Sequence, residues 1–478
     1  MNLTSTLEKA YPHLPLAVQN TLISGQGWVF RRFRFGPPFP ALLGQTVERA
    51  TWGADRIAAF QLAQLRAFVR HAYDTSPYWR GAMDAAGAHP DALRHLEDLS
   101  RFPVLEKSAL RQRTAEIASQ APAPGKLYPI RTSGTTGSPL SVALTQADMQ
   151  QRMAFLHRML LRFGVAPLAR SVRFSGRTLF PDAERNKVFW RHNRPMNQLL
   201  MSSYNLSEAN APHYIEKLAR YAPVLIDGFP SSIYVLAQFI LKRGEAGRIR
   251  PRAVMTTAET LEPYQREVIA EAFGGCPVTN QYASSEGAPF ITQDEYGDMV
   301  VNTDSGVFEF VRPGTEEPAP PGELAEMLVT SFTTHAYPLI RYRIGDTVLL
   351  PRMPRQARSW AMPVVEQVLG RQEDILYTPA RGYVGRLDPV FKKSPSTVVE
   401  SQIVQTAPMA VTLRVVPDRA AGYTETDLAP VLKELRERLG EVEITVEEHT
   451  ALPRGSNGKL RAVIGLGRSA GAAPREAL

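Results

Sequence analysis

The chain has 478 residues, 44% of them hydrophobic and 21% charged, and a formal net charge of +8 at pH 7. These values fit a soluble globular protein of two or more domains and exclude a disordered chain. One cysteine, Cys276, excludes an intramolecular disulfide and a cysteine-built metal cage. No apolar run is long enough for a transmembrane segment, and residues 1–9 lack the basic-then-apolar order of a signal peptide, so a cytoplasmic location is expected. The positive charge suits anionic partners, but the arginines are spread along the chain, which argues against nucleic acid.

In chain order, residues 28–39 interleave aromatic rings with arginines. They read as an arm folded onto the main domain, with a membrane surface or acidic partner as the alternative. Residues 55–73 carry Ile57, Phe60, Leu62, Leu65, Phe68 and Val69 at helical spacing. A second helix is expected over 146–163, with Thr145 as its N-cap. Next come strand 223–227, helix 231–242 capped by Ser231 and Ser232, strand 253–257, helix 263–273 ended by Gly274, and strand 278–282. Such alternation predicts parallel β/α layers. Strands are expected at 324–331 and 341–350. The last hundred residues read as a small α+β unit of strand 410–416, helix 425–439 and strand 441–447, with a boundary near residue 371. Residues 468–478 read as a frayed tail.

Five segments carry chemistry. Residues 131–140, Arg-Thr-Ser-Gly-Thr-Thr-Gly-Ser-Pro-Leu, crowd hydroxyls and glycines between apolar flanks. Glycines let backbone N–H groups approach an anion and hydroxyls add donors, which makes a phosphate cradle, though without the ending of a Walker loop. Residues 281–287, Gln-Tyr-Ala-Ser-Ser-Glu-Gly, pair a flat ring with a hard carboxylate suited to Mg²⁺. Residues 337–346 end in Gly345-Asp346, which alone would be a turn, yet a carboxylate also suits a vicinal diol. Residues 370–375, Gly-Arg-Gln-Glu-Asp-Ile, form a charged stretch at the expected boundary. Residues 453–459, Pro-Arg-Gly-Ser-Asn-Gly-Lys, place a lysine in a glycine-rich loop near the end.

The first segment resembles the signature phosphate loop of the acyl-adenylate-forming superfamily, and the other four match in that superfamily's order. Residues 73–80, 102–111, 225–237 and 280–290 look like the phenylacetate–CoA ligase branch. Residues 189–193, 198–206 and 228–234 look closest to its capsular-polysaccharide-type relatives. The resemblance implies an α/β fold, with a large N-terminal AMP-binding and acyl-substrate domain over 1–370 and a small mobile α+β domain over 371–478. It implies that Thr132, Ser133, Gly134, Thr135, Thr136 and Gly137 hold the phosphates, that Tyr282 stacks on adenine, and that Glu286 binds Mg²⁺. Asp346 would accept from both ribose hydroxyls. Arg371, Glu259 and Ser285 would complete the nucleotide site, with Glu373 or Asp374 as the hinge. Lys459 would bridge the substrate carboxylate and the α-phosphate, an ammonium set between two repelling anions.

The implied activity is ATP-dependent formation of an acyl-adenylate from a carboxylic acid, then transfer to coenzyme A. Transfer to an acyl carrier protein or an amine, or a nucleotide-binding homologue without turnover, are the alternatives. Phe229, Ile233 and Tyr234 are candidates for the acyl pocket, with core packing as their other reading. Arg191-His192 is a candidate for an anionic group, or simply satisfied polar structure. Ala283 stands where the family usually has glycine. Residues 293–301 lack the Cys and His that in many such proteins resemble a structural zinc site, so no zinc is expected.

Overall fold

The computed structural model describes residues 14–121, 127–131, 141–175, 187–203, 209–258, 263–284, 286–371, 376–379, 382–384, 397–417, 422–450 and 463–466, with a few single positions besides. The N-terminal part opens with helices α1 (Leu16–Phe35), α2 (Phe39–Arg49), α3 (Ala54–Thr75) and α4 (Pro77–Ala86), then the short α5 (Lys107–Gln112) and α6 (Thr114–Ile117). A hairpin of β1 (Tyr128–Arg131) and β2 (Ser141–Leu144) leads into α7 (Gln146–Arg162). Thr145 caps α7 as expected, its Oγ1 accepting from Asp148 N–H at 3.0 Å.

The remaining strands of this part are β3 (Ser171–Ser175), β4 (Trp190–Asn193), β5 (Gln198–Ser202), β6 (Leu225–Gly228), β7 (Ala253–Thr256), β8 (Val278–Tyr282), β9 (Ile291–Gln293), β10 (Met299–Val301), β11 (Gly306–Val311), β12 (Leu324–Ser331), β13 (Tyr342–Leu349), β14 (Val364–Val365) and β15 (Gln367–Arg371). Helices α8 (Ala211–Tyr221), α9 (Pro230–Lys242) and α10 (Pro263–Ala272) connect them. Among the described residues, nine strands form one sheet in the order β14-β10-β9-β8-β7-β6-β3-β5-β4. Its middle, β5-β3-β6-β7-β8, is parallel, as the alternation of strand and helix predicts. A second sheet, β11-β12-β13-β15, is antiparallel.

The two larger apolar cores among the described residues hold these sheets. One joins α3, α4 and the second sheet through Leu65, Phe68, Trp79, Met327, Val329 and Tyr342. The other packs α8, α9 and α10 on the parallel strands through Tyr214, Ile233, Ile240, Val254 and Phe273. The arm reading of residues 28–39 is met: α1 lies on the main part, with Arg31 donating to Pro195 O at 3.1 Å and Ser24 to His192 O at 3.1 Å.

The C-terminal part is built from the hairpin β16 (Leu376–Thr378) and β17 (Gly382–Val384), then β18 (Val398–Ala407), β19 (Ala410–Pro417), α11 (Ala429–Leu439), β20 (Glu443–Glu448) and β21 (Val463–Ile464). Four of its strands make a sheet in the order β20-β19-β18-β21. Leu413, Val415, Val431, Leu435 and Leu439 form its own core.

Two local expectations are corrected. Ser231 and Ser232 lie inside α9 and not at its cap: the helix starts one residue earlier, at Pro230, with Phe229 as N-cap and no side-chain cap. Pro230 sets the start, because its fixed φ and missing N–H suit the first helical position. Residues 425–439 are not one helix: Glu425–Leu428 is a 3₁₀ turn, and the α-helix begins at Ala429 beside Pro430. Proline is tolerated in the first turn and disfavoured farther in, so the α-helix cannot extend back through 425.

Candidate active site

Two of the five segments meet directly. Tyr282 ends β8 and Asp346 lies in β13, and the Tyr282 hydroxyl donates to Asp346 Oδ2 at 2.8 Å. Arg371 is the ladder partner of Asp346 across β13 and β15, which brings the backbone of a third segment to the same place. Both Tyr282 and Asp346 are buried, at 6% and 9% exposure. Gln281 Nε2 donates to Thr257 Oγ1 at 3.0 Å, which draws in the end of β7. Gln281 Oε1 is buried with no hydrogen-bond partner among the described residues, an acceptor open to a ligand's donor.

Beyond β8 the chain turns sharply through Glu286-Gly287. Gly287 has φ +103°, and a Cβ there would stand 2.6 Å from Thr334 Cγ2, so only glycine fits. Its carbonyl accepts from Arg152 at 2.9 Å and from Ser331 Oγ at 2.6 Å. Arg152, from α7, also reaches Ala288 O at 2.8 Å and Thr333 Oγ1 at 3.1 Å. Burial pulls its guanidinium down to about 10, against the field of Asp148, so it stays charged at neutral pH. This clamp fixes the backbone that presents Glu286.

Glu286 itself is buried, yet its carboxylate takes no hydrogen bond from a described residue. Its ion partner is Lys107, Nζ to Oε1 at 3.6 Å. Lys107 is held there by a zipper between the chain before α5 and the start of β13. Leu105 N–H donates to Arg341 O at 3.3 Å and Arg343 N–H to Leu105 O at 3.0 Å. Arg341, 1% exposed, binds Phe102 O at 2.7 Å and Ser100 O at 3.0 Å. Residues 102–111 carry part of the family resemblance but give Lys107 no role, because a lone cation at the start of a short helix carries no local signal of its target. Gln281 opens the 281–287 segment, but the resemblance gives it no role.

A single buried carboxylate with open lone pairs fits Mg²⁺, which takes one or two carboxylates and completes its shell with phosphates and water. No cluster of three His, Cys, Asp or Glu suited to a metal occurs among the described residues. Where a zinc site was considered, residues 293–301 form the β9–β10 hairpin. There Asp298 accepts from Arg355 at 2.9 Å and from the Arg358 N–H at 3.0 Å.

The phosphate-loop residues Thr132–Gly137 lie outside the described residues, as do Glu259, Ser285, Glu373, Asp374 and Lys459. The strands flanking the loop are described: Arg131 and Ser141 are ladder partners, and Val142 packs in the same core as Tyr282. Of the acyl-pocket candidates, Ile233 is fully buried in the second core, while Phe229 and Tyr234 are half-buried. Arg191 is satisfied structure, its guanidinium bonded to Gln19 Oε1 at 2.6 Å and Val188 O at 3.0 Å.

Residues 376–465 match the family model described as the CapK C-terminal domain. The chain is 30% identical over 402 residues to protein CapK of Staphylococcus aureus, covering 84% of this chain and 86% of that one. It is 27% identical over 342 residues to the phenylacetate–coenzyme A ligase of Escherichia coli strain K12, covering 68% of this chain and 74% of that one. A crystal structure of 2-hydroxyisobutyryl-CoA ligase in the postadenylation state, complexed with R3-HIB-AMP, superposes with a TM-score of 0.61 at 21% identity over 87% of this chain and 91% of that one. That likeness establishes the fold. The chain belongs to the acyl-adenylate-forming superfamily, in the phenylacetate–CoA-ligase-like branch that includes CapK.

Proposed function

We propose that this protein uses ATP to activate a carboxylic acid as its acyl-adenylate and then forms the coenzyme A thioester. The observation that carries the reading is the Tyr282–Asp346 hydrogen bond. It joins two segments 64 residues apart that the family resemblance assigns to one nucleoside. Its relatives named as coenzyme A ligases support the same reading.

In the first step a carboxylate oxygen attacks the α-phosphorus and the bond to pyrophosphate breaks. Asp346 would orient the ribose, Tyr282 would lie against adenine, and the open acceptor of Gln281 suits an amino donor. The Thr132–Gly137 loop would cradle the phosphates, with Glu259, Ser285 and Arg371 around the nucleotide. Glu286 would hold Mg²⁺, which supplies charge neutralisation on the phosphate oxygens when bound. Lys107, poised at Glu286, adds positive charge on the same side. Lys459 would offset the repulsion between the approaching carboxylate and the α-phosphate. In the second step a thiol sulfur attacks the acyl carbon, the bond to AMP breaks, and the thiol proton is released. Residues 371–478 would act as the mobile domain, turning at Glu373 or Asp374 to withdraw Lys459 and admit the thiol. Phe229, Ile233 and Tyr234 are the proposed acyl-pocket wall.

The test is ATP–pyrophosphate exchange across a panel of carboxylic acids, without coenzyme A, repeated with Lys459→Ala. The expected result is acid-dependent exchange that falls roughly 10²-fold or more in the variant while ATP binding persists. ATP binding with no exchange for any acid overturns the reading. AMP release on adding coenzyme A, a carrier-protein thiol or an amine then identifies the acceptor.

A further inference from the structure

The far end of the parallel sheet gathers four arginines, three of which form no ion pair with a described carboxylate. Strands β3, β6 and β7 lie side by side, and their carboxyl ends lead to the segments placed at the proposed site, Gly228-Phe229 and Thr256-Thr257 among them. Their amino ends are preceded by Arg170, by Pro223-Val224 and by Arg252. Val224 N–H donates to Arg170 O at 2.8 Å and Arg252 N–H to Val224 O at 2.8 Å, so two arginine backbones are fixed on either side of one strand entry. Between them opens a cavity of about 380 Å³, lined by Arg170, Arg248, Arg250 and Arg252 over an apolar floor that includes Pro223 and Ile249.

Arg248 is already paired, with Glu216 and Glu245. Arg170, Arg250 and Arg252 form no ion pair with a described carboxylate, and no acidic residue lines the cavity. Arg250 donates one N–H, from Nε to Gly247 O at 2.8 Å, and arginines lining one concavity give it a positive potential that attracts an anion. Their planar forks match phosphate oxygens in pairs, which ammonium groups do not. The volume is at the small end of ligand pockets, so it suits a compact molecule. A polyanion would call for an extended basic stripe, and a lipid surface for an exposed apolar rim.

We propose that this cavity is a second anion site, a strand's length from the adenylate site, that takes the diphosphate group of a small phosphorylated molecule. Three arginines bring more positive charge than a monophosphate would neutralise, which favours the diphosphate.

The experiment is calorimetric titration of the full chain with inorganic pyrophosphate and, separately, with ADP. EDTA is present to silence a magnesium-dependent site, and sodium chloride holds ionic strength constant. Expected is saturable pyrophosphate binding that weakens about tenfold or more in Arg170→Ala/Arg252→Ala and persists in Asp346→Asn. Both arginines are exposed, so the double variant should melt with the wild-type chain; should it not fold, Arg250→Ala gives the same reading. Arginine-dependent binding of ADP as well as pyrophosphate identifies a nucleoside diphosphate as the source; pyrophosphate alone identifies the free ion. Absence of binding, or binding that survives the double variant unchanged, overturns the proposal. The assay needs no turnover, so its failure is separate from failure of acid activation.

Discussion

Asp304 and Glu286 are both buried carboxylates facing cations, and they are finished very differently. Asp304 is wholly enclosed and accepts from Arg49 at 2.9 Å and from both terminal nitrogens of Arg158 at 2.8 and 2.9 Å. Those arginines come from α2 and α7, so the carboxylate pins two helices to the turn before β11. Glu286 has one ammonium at 3.6 Å and no hydrogen bond from a described residue. A carboxylate that serves the fold has its lone pairs filled by the protein; the role proposed for Glu286 needs them left for a ligand. Asp298 stands between the two. It is enclosed, but its partners Arg355 and Arg358 are themselves exposed.

The contrast can be broken by experiment. The largest effect is expected for Asp304→Ala, which leaves Arg49 and Arg158 buried without a counter-charge and should cost about 3–5 kcal/mol of stability by denaturant titration. Exchange per folded molecule should change little; an equally stable variant would erase the distinction. Glu286→Gln should do the reverse. We expect exchange to fall roughly 10²-fold, about 3 kcal/mol in the barrier, with little change in melting temperature. A large loss of stability with exchange retained would make Glu286 a structural group.

The smallest effect sharpens the middle case. Burial works against ionisation of Asp298, but the bonds from Arg355 and Arg358 outweigh it and hold its carboxyl well below the usual carboxylate range. A folded-state value below the unfolded one, about 3.9, means its contribution is fully present above that value. It is lost as pH falls through the folded value. Melting temperatures between pH 6 and pH 2 should therefore fall more steeply for the wild-type chain than for Asp298→Asn. Parallel curves would show that this ion pair adds nothing.

Much of the fold was legible locally. The apolar stripe Ile57, Leu65, Phe68 and Val69 became the buried face of α3, and the β6–α9–β7–α10–β8 alternation became the parallel sheet. Thr145 capped α7 because a hydroxyl before a helix meets an unpaired N–H wherever the helix packs. The Ser231-Ser232 expectation failed because Pro230 competes for the same helix start and its fixed φ wins. Strands β3, β4 and β5 were missed because their four or five residues carry arginine, histidine and polar side chains that blur the alternation. Of the candidate site, Glu286, Tyr282 and Asp346 were readable as motif residues; Gln281 lay in the same segment without a role, and Lys107 has no local pattern.

The sequence alone determined the long helices, the β6–α9–β7–α10–β8 alternation and the short segments expected to hold a nucleotide, because those depend on spacing and side-chain chemistry within a few residues. Only the tertiary structure decided that Tyr282 reaches Asp346, that Lys107 faces Glu286, and that Arg170 shares a cavity with Arg252. Each of those pairings joins residues tens to hundreds of positions apart, so no local spacing encodes it, and it exists only once the sheets have brought both partners to one place.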